Sequence, residues 1–209
     1  MPQYGLHYMD SRGLCEPLRL CLHYAGIPFE DIRYSAPEFA KFKELYPGIT
    51  VPALFVDGKM LTQSGSILRY IGRFTGLNGK DSWEEAKADE TCQFSHDYIL
   101  AHLKYLLHRA GIKPIESAEE IDVAYAEFIP PATKALEFFA KMLEGTGNGY
   151  VLKSGITYAD FFVQNYVTTL RKLDDKLVAK YPIVVEHFEK IQKLPQIKDY
   201  MANRKETVN

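Results

Sequence analysis

Cysteine is scarce in this chain, with only Cys15, Cys21 and Cys92 among 209 residues. Three thiols cannot all pair, and their spacing forms neither a CxxC motif nor a zinc-ligand pattern. A disulfide scaffold is excluded, no metal is expected, and reduced thiols in a reducing compartment fit the count. Long hydrophobic runs are missing as well. No stretch approaches the roughly 18 consecutive apolar residues of a membrane span, and the opening MPQYGLHYMD lacks the basic and apolar regions of a secretion signal. The expected location is cytoplasmic, with no membrane partner. Charge of one sign is also lacking, with 25 Lys and Arg against 27 Asp and Glu. The balance is 8 to 7 through residue 75 and 17 to 20 beyond it, so neither part attracts nucleic acid.

What is present is a globular composition, 46% hydrophobic and 25% charged, in a length that admits one or two domains. YGLHYM alternates Tyr4, Leu6 and Tyr8 against Gly5 and His7, the period of a strand. From Leu14 the apolar residues recur at three and four, with Pro17 in the first turns and Gly26 closing a helix. PFEDIRY then gives a second strand, which completes a βαβ unit. After a connecting segment, VPALFVDGKML reads as a hairpin, because Asp57 and Gly58 suit a type I′ turn. A helix follows with Ser64 as candidate N-cap and Gly76 as its stop. One small mixed sheet with flanking helices satisfies this order.

GLNGKDSWEE reads as a linker, and strand signals almost vanish beyond it. The second part is expected to be all α. Ile121, Tyr125, Phe128, Ala132, Ala135, Phe139 and Leu143 follow one helical face, which Pro130 and Pro131 should kink or interrupt. In GITYADFF, Thr157 and Asp160 form a capping box at a helix start. YP at 181 and LP at 194 punctuate two more short helices.

Several residues invite a chemical reading beside a structural one. A proline opening a strand, as Pro52 does, is ordinarily trans; a cis bond would turn the backbone of Val51 outward to pair with an extended ligand. Gln63 and Ser64 stand at a helix N-terminus, which binds carboxylate or phosphate, although a plain cap explains Ser64 equally. Tyr8 is one of fourteen tyrosines, and by residue type alone it is a packing residue.

Taken in order, YxDxRGxxEPxRL at 8–20, VPALxxDGxxLxQSxxILRYI at 51–71 and TYADF at 157–161 resemble the cytosolic glutathione transferases. The resemblance is greatest to the sigma-like class, which includes prostaglandin D synthase and nematode enzymes. It implies a thioredoxin-like glutathione-binding domain at 1–76 and an all-helical domain at 83–209, which contributes a hydrophobic substrate site. It further implies a cis Pro52, a homodimer, and reduced glutathione as cosubstrate with no permanently bound cofactor. The tyrosine ending the first strand then donates its hydroxyl to the glutathione sulfur. A thiol with a pKa near ~8.5 is mostly protonated at neutral pH, and a hydrogen-bond donor that strengthens as charge develops favours the thiolate.

By the same resemblance, the backbone of Val51 pairs with the cysteinyl part, and Gln63 and Ser64 hold the γ-glutamyl carboxylate. Lys43 meets the glycyl carboxylate, and Asp97 reaches the ligand of the neighbouring subunit. Two positions depart from the pattern. Phe39 replaces a tryptophan whose indole N–H contacts the glycyl carboxylate, and Leu14 replaces an arginine beside the catalytic tyrosine. The loss of that cation implies an enlarged apolar electrophile site around Met9, Leu14, Phe162 and Tyr166. Cys15, in the first turn of helix one, is either a small packed residue or, as a nucleophile, the mark of a thiol transferase. The expected activity is conjugation of glutathione to hydrophobic electrophiles in detoxification, with peroxide reduction and prostaglandin isomerisation as side activities of the same thiolate. The alternative is a non-catalytic carrier of haem or other large apolar ligands, kept alive by Leu14 and Phe39.

Overall fold

The computed structural model describes residues 2–208. Strand β1 (Tyr4–Met9) leads through a 3-10 turn at Gly13–Cys15 into helix α1 (Glu16–Tyr24) and strand β2 (Glu30–Tyr34). β1 and β2 are parallel, with Leu6 beside Asp31 and Tyr8 beside Arg33. The hairpin β3 (Ala53–Val56) and β4 (Lys59–Thr62) turns at Asp57 and Gly58, both at positive φ as type I′ requires. β3 runs antiparallel to β1, giving the sheet order β2-β1-β3-β4.

The period of two sorts the sheet into two faces. Leu6 and Leu54 are buried among Leu18, Leu22, Ile67 and Ile71, the residues of α1 and of α3 (Ser64–Thr75). The other face carries His7 and Phe55 under helix α2 (Ala36–Leu45), whose buried Phe42 stacks on His7. α2 fills the segment expected to be a plain connection. Its start is an S-x-x-E box, in which the Glu38 carboxylate accepts from the Ser35 N–H at 2.8 Å and hydroxyl at 2.6 Å. Together these elements form the thioredoxin-like half.

Among the described residues the rest is helical: α4 (Ser82–Ala101), α5 (Leu103–Arg109), α6 (Ala118–Thr146), α7 (Tyr158–Val178), α8 (Pro182–Gln192) and α9 (Pro195–Asn203). α6 corrects one expectation, because it runs through Pro130 and Pro131 without interruption. Its buried stripe from Phe128 to Leu143 packs against α4 and α8, and that tertiary packing outweighs the two missing donors. No helix among the described residues is long and apolar enough to cross a membrane.

α7 joins the halves. A Cβ on Gly72 of α3 would lie 2.6 Å from the Tyr158 ring, so the absent side chain is what lets the ring seat there. The Tyr158 hydroxyl donates to Asp89 at 2.8 Å, and its N–H donates to the Leu77 carbonyl at 2.9 Å. The buried Asp160 carboxylate accepts from Thr157 N–H at 2.7 Å and from Val151 N–H at 2.8 Å, and contacts His187 at 3.0 Å.

Candidate functional site

Topology brings the predicted residues to one end of the sheet. β1 ends at Tyr8 and Met9, β3 begins just after Val51 and Pro52, and β4 ends just before Gln63. His7 pairs with Ala53 and Ala53 with Thr62, so the next positions along each strand share this end. The Val51–Pro52 bond is cis. Among the described residues no hydrogen bond takes the Val51 N–H, which leaves it free for an extended ligand.

Tyr8 is held by the turn that follows its strand. Its hydroxyl oxygen accepts from the Leu14 N–H at 3.2 Å, so its own proton remains to be donated. Gly13, at φ +42°, makes this approach feasible: a Cβ there would stand 2.4 Å from the hydroxyl oxygen. Burial pushes the phenol above its ordinary pKa, the Leu14 N–H and the Arg19 charge pulling the other way. The group is therefore a neutral donor across the physiological range. Cys15, by contrast, is fully buried, and burial pushes its thiol up to about 12. A thiol so protonated is a packing residue and a poor nucleophile.

The turn itself is anchored by Arg12, a residue with no role apparent from the sequence. Arg12 is 2% exposed and donates to Asn165 Oδ1 at 2.5 Å, to Thr169 at 3.2 Å and to the Val208 carbonyl at 2.7 Å. Asn165 in turn donates to the Gly13 carbonyl at 2.9 Å. Arg12 stands inside the first motif, but its partners lie more than 150 positions away, beyond the reach of local spacing.

At the start of α3, Gln63 takes the N-cap position with φ 71° and ψ 114°, and Ser64 is the first helical residue. This corrects the reading of Ser64 as N-cap. A glutamine at positive φ is strained backbone, and such strain clusters at binding sites. Gln63 and Ser64 open on a cleft of about 580 Å³, walled by Asp89, Gln93 and His96 of α4 and reaching Phe162 of α7. The helix N-terminus facing it offers unpaired N–H groups and partial positive charge.

The other predicted residues are more scattered. Phe39 and Lys43 lie on α2, with the Lys43 ammonium 5.8 Å from the Phe39 ring centre. Asp97 is exposed on α4, one turn past the cleft wall, where it accepts from Gln93 at 3.0 Å. Met9 and Leu14 are half-buried beside Tyr8, and Phe162 is nearly buried. Tyr166 is 1% exposed, its ring parallel to that of His102 at 5.6 Å. A larger groove, about 810 Å³, lies at the opposite end of the sheet among Tyr4, Gly5, His7, Phe29, Tyr46 and Phe55. It holds none of the predicted site residues.

A four-stranded thioredoxin-like sheet followed by an all-helical second half defines the class of protein by its fold. The comparisons with known proteins narrow this. Family models for the glutathione S-transferase N-terminal and C-terminal domains match residues 14–73 and 116–204. Glutathione S-transferase 3 of Caenorhabditis elegans is 33% identical over 208 residues, covering 99% of both chains. A monomeric glutathione S-transferase of the hookworm Necator americanus superposes with a TM-score of 0.90 at 30% identity, over 98% of each chain. Rat hPGDS, a prostaglandin D synthase solved in complex with a quinoline, gives 0.85 at 26% identity over the full length of both. The chain belongs to the glutathione S-transferase family, and it is an enzyme of that kind with glutathione as its cosubstrate.

Proposed function

We propose that the protein conjugates reduced glutathione to hydrophobic electrophiles, with Tyr8 stabilising the attacking thiolate. The observation that carries this reading is the Tyr8 hydroxyl, whose oxygen is already occupied by the Leu14 N–H while its proton is free. In this reading the Val51 backbone pairs with the cysteinyl unit after cis Pro52, and Gln63 and Ser64 receive the γ-glutamyl carboxylate at the α3 N-terminus. Lys43 meets the glycyl carboxylate beside Phe39, which offers no donor. Met9, Leu14, Phe162 and Tyr166 form the electrophile wall.

We place the division of labour at 1–76 for glutathione and 83–209 for the electrophile. The protein acts in the cytoplasm, as the three free, buried thiols suit a reducing compartment. It works as a homodimer, in which Asp97, exposed and outside its own cleft, serves the ligand of the other subunit. Sedimentation at micromolar concentration tests that point, and a monomer would remove Asp97 from the site. Peroxide reduction and prostaglandin isomerisation draw on the same thiolate.

Turnover of a chloronitrobenzene with glutathione is the direct test. Measurable conjugation that saturates with glutathione supports the reading. Leu14 and Phe39 favour a second one, a carrier of haem or similar apolar ligands, since one lacks a cation and the other a donor. Negligible conjugation together with tight haem binding would replace the first reading by the second.

A further inference from the structure

The sheet face under α2 is only half covered. The cross-strand register sets His7 beside Ala53 in one row of that face, and Glu30, Gly5, Phe55 and Met60 in the next. α2 covers the first row, with Phe42 stacked on His7 at 5.2 Å, and it ends at Leu45. The second row stays open. Glu30, Gly5 and Phe55 line the groove of about 810 Å³, and Met60 beyond them is 45% exposed. Gly5 is what hollows this row: a Cβ there would lie 3.4 Å from His7 Nε2 and 3.5 Å from Ile32 Cδ1, so these atoms border the space it leaves. Adjacent strands stand about 4.8 Å apart, which sets Glu30 and Phe55 roughly 10 Å apart across the glycine. On the Phe55 side the Tyr46 ring meets the Phe55 ring at 67°, centres 5.6 Å apart, and the two make an aromatic corner. The opposite side carries the exposed Glu30 carboxylate. Among the described residues no lysine or arginine lines the groove. Burial holds the His7 pKa below its ordinary value, so that ring is neutral at neutral pH and adds no positive charge.

We propose that this groove is a second, non-catalytic binding site for hydrophobic organic cations. The aromatic corner takes the apolar body of the guest, and the ring faces together with Glu30 take its positive charge. A ring face attracts a cation through its quadrupole, and the attraction grows as the guest displaces water. The same displacement lowers the local dielectric around Glu30, so a carboxylate of little worth in open water becomes a stronger partner. Anions meet the opposite field and find no cation to pair with. Glutathione and its conjugates carry net negative charge at neutral pH, so they are disfavoured at the groove and the two ends of the sheet sort ligands by charge. The groove lacks the free backbone donors of the Tyr8 end, which suits it to holding a ligand and not to transforming one. Nothing in this inference depends on the chemistry assigned to Tyr8.

The test titrates the full chain with berberine, a planar quaternary ammonium dye whose fluorescence rises in apolar surroundings. S-hexylglutathione is held at saturation throughout, so that the glutathione site and the electrophile wall are occupied. Berberine should still bind saturably, at one site per chain. Glu30→Gln should weaken that binding about fivefold. Gly5→Leu fills the floor of the groove and should weaken it at least about tenfold. Both variants should conjugate chloronitrobenzene at the wild-type rate, since they lie at the far end of the sheet. The anionic dye anilinonaphthalene sulfonate should show no binding that survives S-hexylglutathione and is removed by Gly5→Leu. Should Gly5→Leu not fold, Glu30→Gln and Glu30→Lys decide alone, because Glu30 is exposed and its replacement leaves the packing intact. Berberine displaced by S-hexylglutathione, or bound equally well by Glu30→Gln and Glu30→Lys, would overturn the proposal. So would an anionic dye held in the same groove as tightly as the cation, which would make the groove merely apolar.

Discussion

The two ends of the sheet share the same strands and differ in what those strands leave unfinished. At one end the chain holds a cis proline, a glutamine at positive φ, a glycine against a phenol and an open helix N-terminus. Among the described residues, the Val51 N–H and the first N–H groups of α3 have no acceptor there, and the Tyr8 proton is not donated. The other end has the larger groove, about 810 Å³, yet Tyr4, Phe29, Tyr46 and Phe55 line it beside proline and glycine, and its carboxylate, Glu30, is exposed. Volume alone does not distinguish a reactive site. Convergent unpaired donors do, and only backbone geometry that costs free energy holds them in place.

That contrast can be broken or sharpened by substitution. The largest effect is expected from Arg12→Met, which removes the anchor of the Tyr8 turn and strands the Asn165 and Val208 oxygens. Urea unfolding should show a loss of about 3 kcal/mol, and a loss below about 1 kcal/mol would mean the turn holds itself. Next comes Gly13→Ala. Its Cβ would fall 2.4 Å from the Tyr8 hydroxyl oxygen at a φ of +42°, so turnover should drop at least about tenfold with glutathione affinity largely retained. Equal losses in both would point to collapse of the whole end.

The two ends should also respond to pH in opposite windows. Burial lowers the pKa of His7 at the groove end, so its contribution to stability is complete above the ordinary histidine value and is lost as pH falls toward its folded value. Burial raises the pKa of Tyr8, so its contribution is complete below the ordinary phenol value and is lost as pH rises through the alkaline range. Comparing urea midpoints of the wild type and His7→Phe from neutrality to pH near ~5 should show the wild type losing more. Parallel curves would show that His7 is not desolvated. The smallest effect belongs to Gly5→Ala at the groove. Its Cβ meets His7 at 3.4 Å with ordinary φ, and both activity and stability should hold, the latter within about 0.5 kcal/mol.

Much of the site end was legible in the sequence because its devices are residue-specific. Asp57–Gly58 announced the hairpin turn, Gly26 and Gly76 closed their helices, and the motif around Tyr8 marked a strand leading into a helix. The isomer of the Val51–Pro52 bond was not readable from the residues, and only the resemblance implied cis. α2 escaped notice although Ser35 and Glu38 spell a capping box, because its apolar pattern is weak and only Phe42 is fully buried. Pro130 and Pro131 misled in the other direction, since the packing that carries α6 past them comes from α4 and α8. The electrophile wall was the least legible part. It depends on where α7 meets the first half, and that is decided by Gly72, Tyr158 and Arg12 acting across long sequence separations.

The central claim is that a neutral Tyr8 hydroxyl turns bound glutathione into a thiolate. The most direct measurement is the pH dependence of kcat/KM for chloronitrobenzene conjugation at saturating glutathione, in wild type and Tyr8→Phe, with glutathione affinity determined for both. The account predicts that Tyr8→Phe binds glutathione nearly as well, loses at least about tenfold in kcat/KM near neutrality, and recovers as pH rises toward the free thiol value near ~8.5. An unchanged profile in Tyr8→Phe would contradict it.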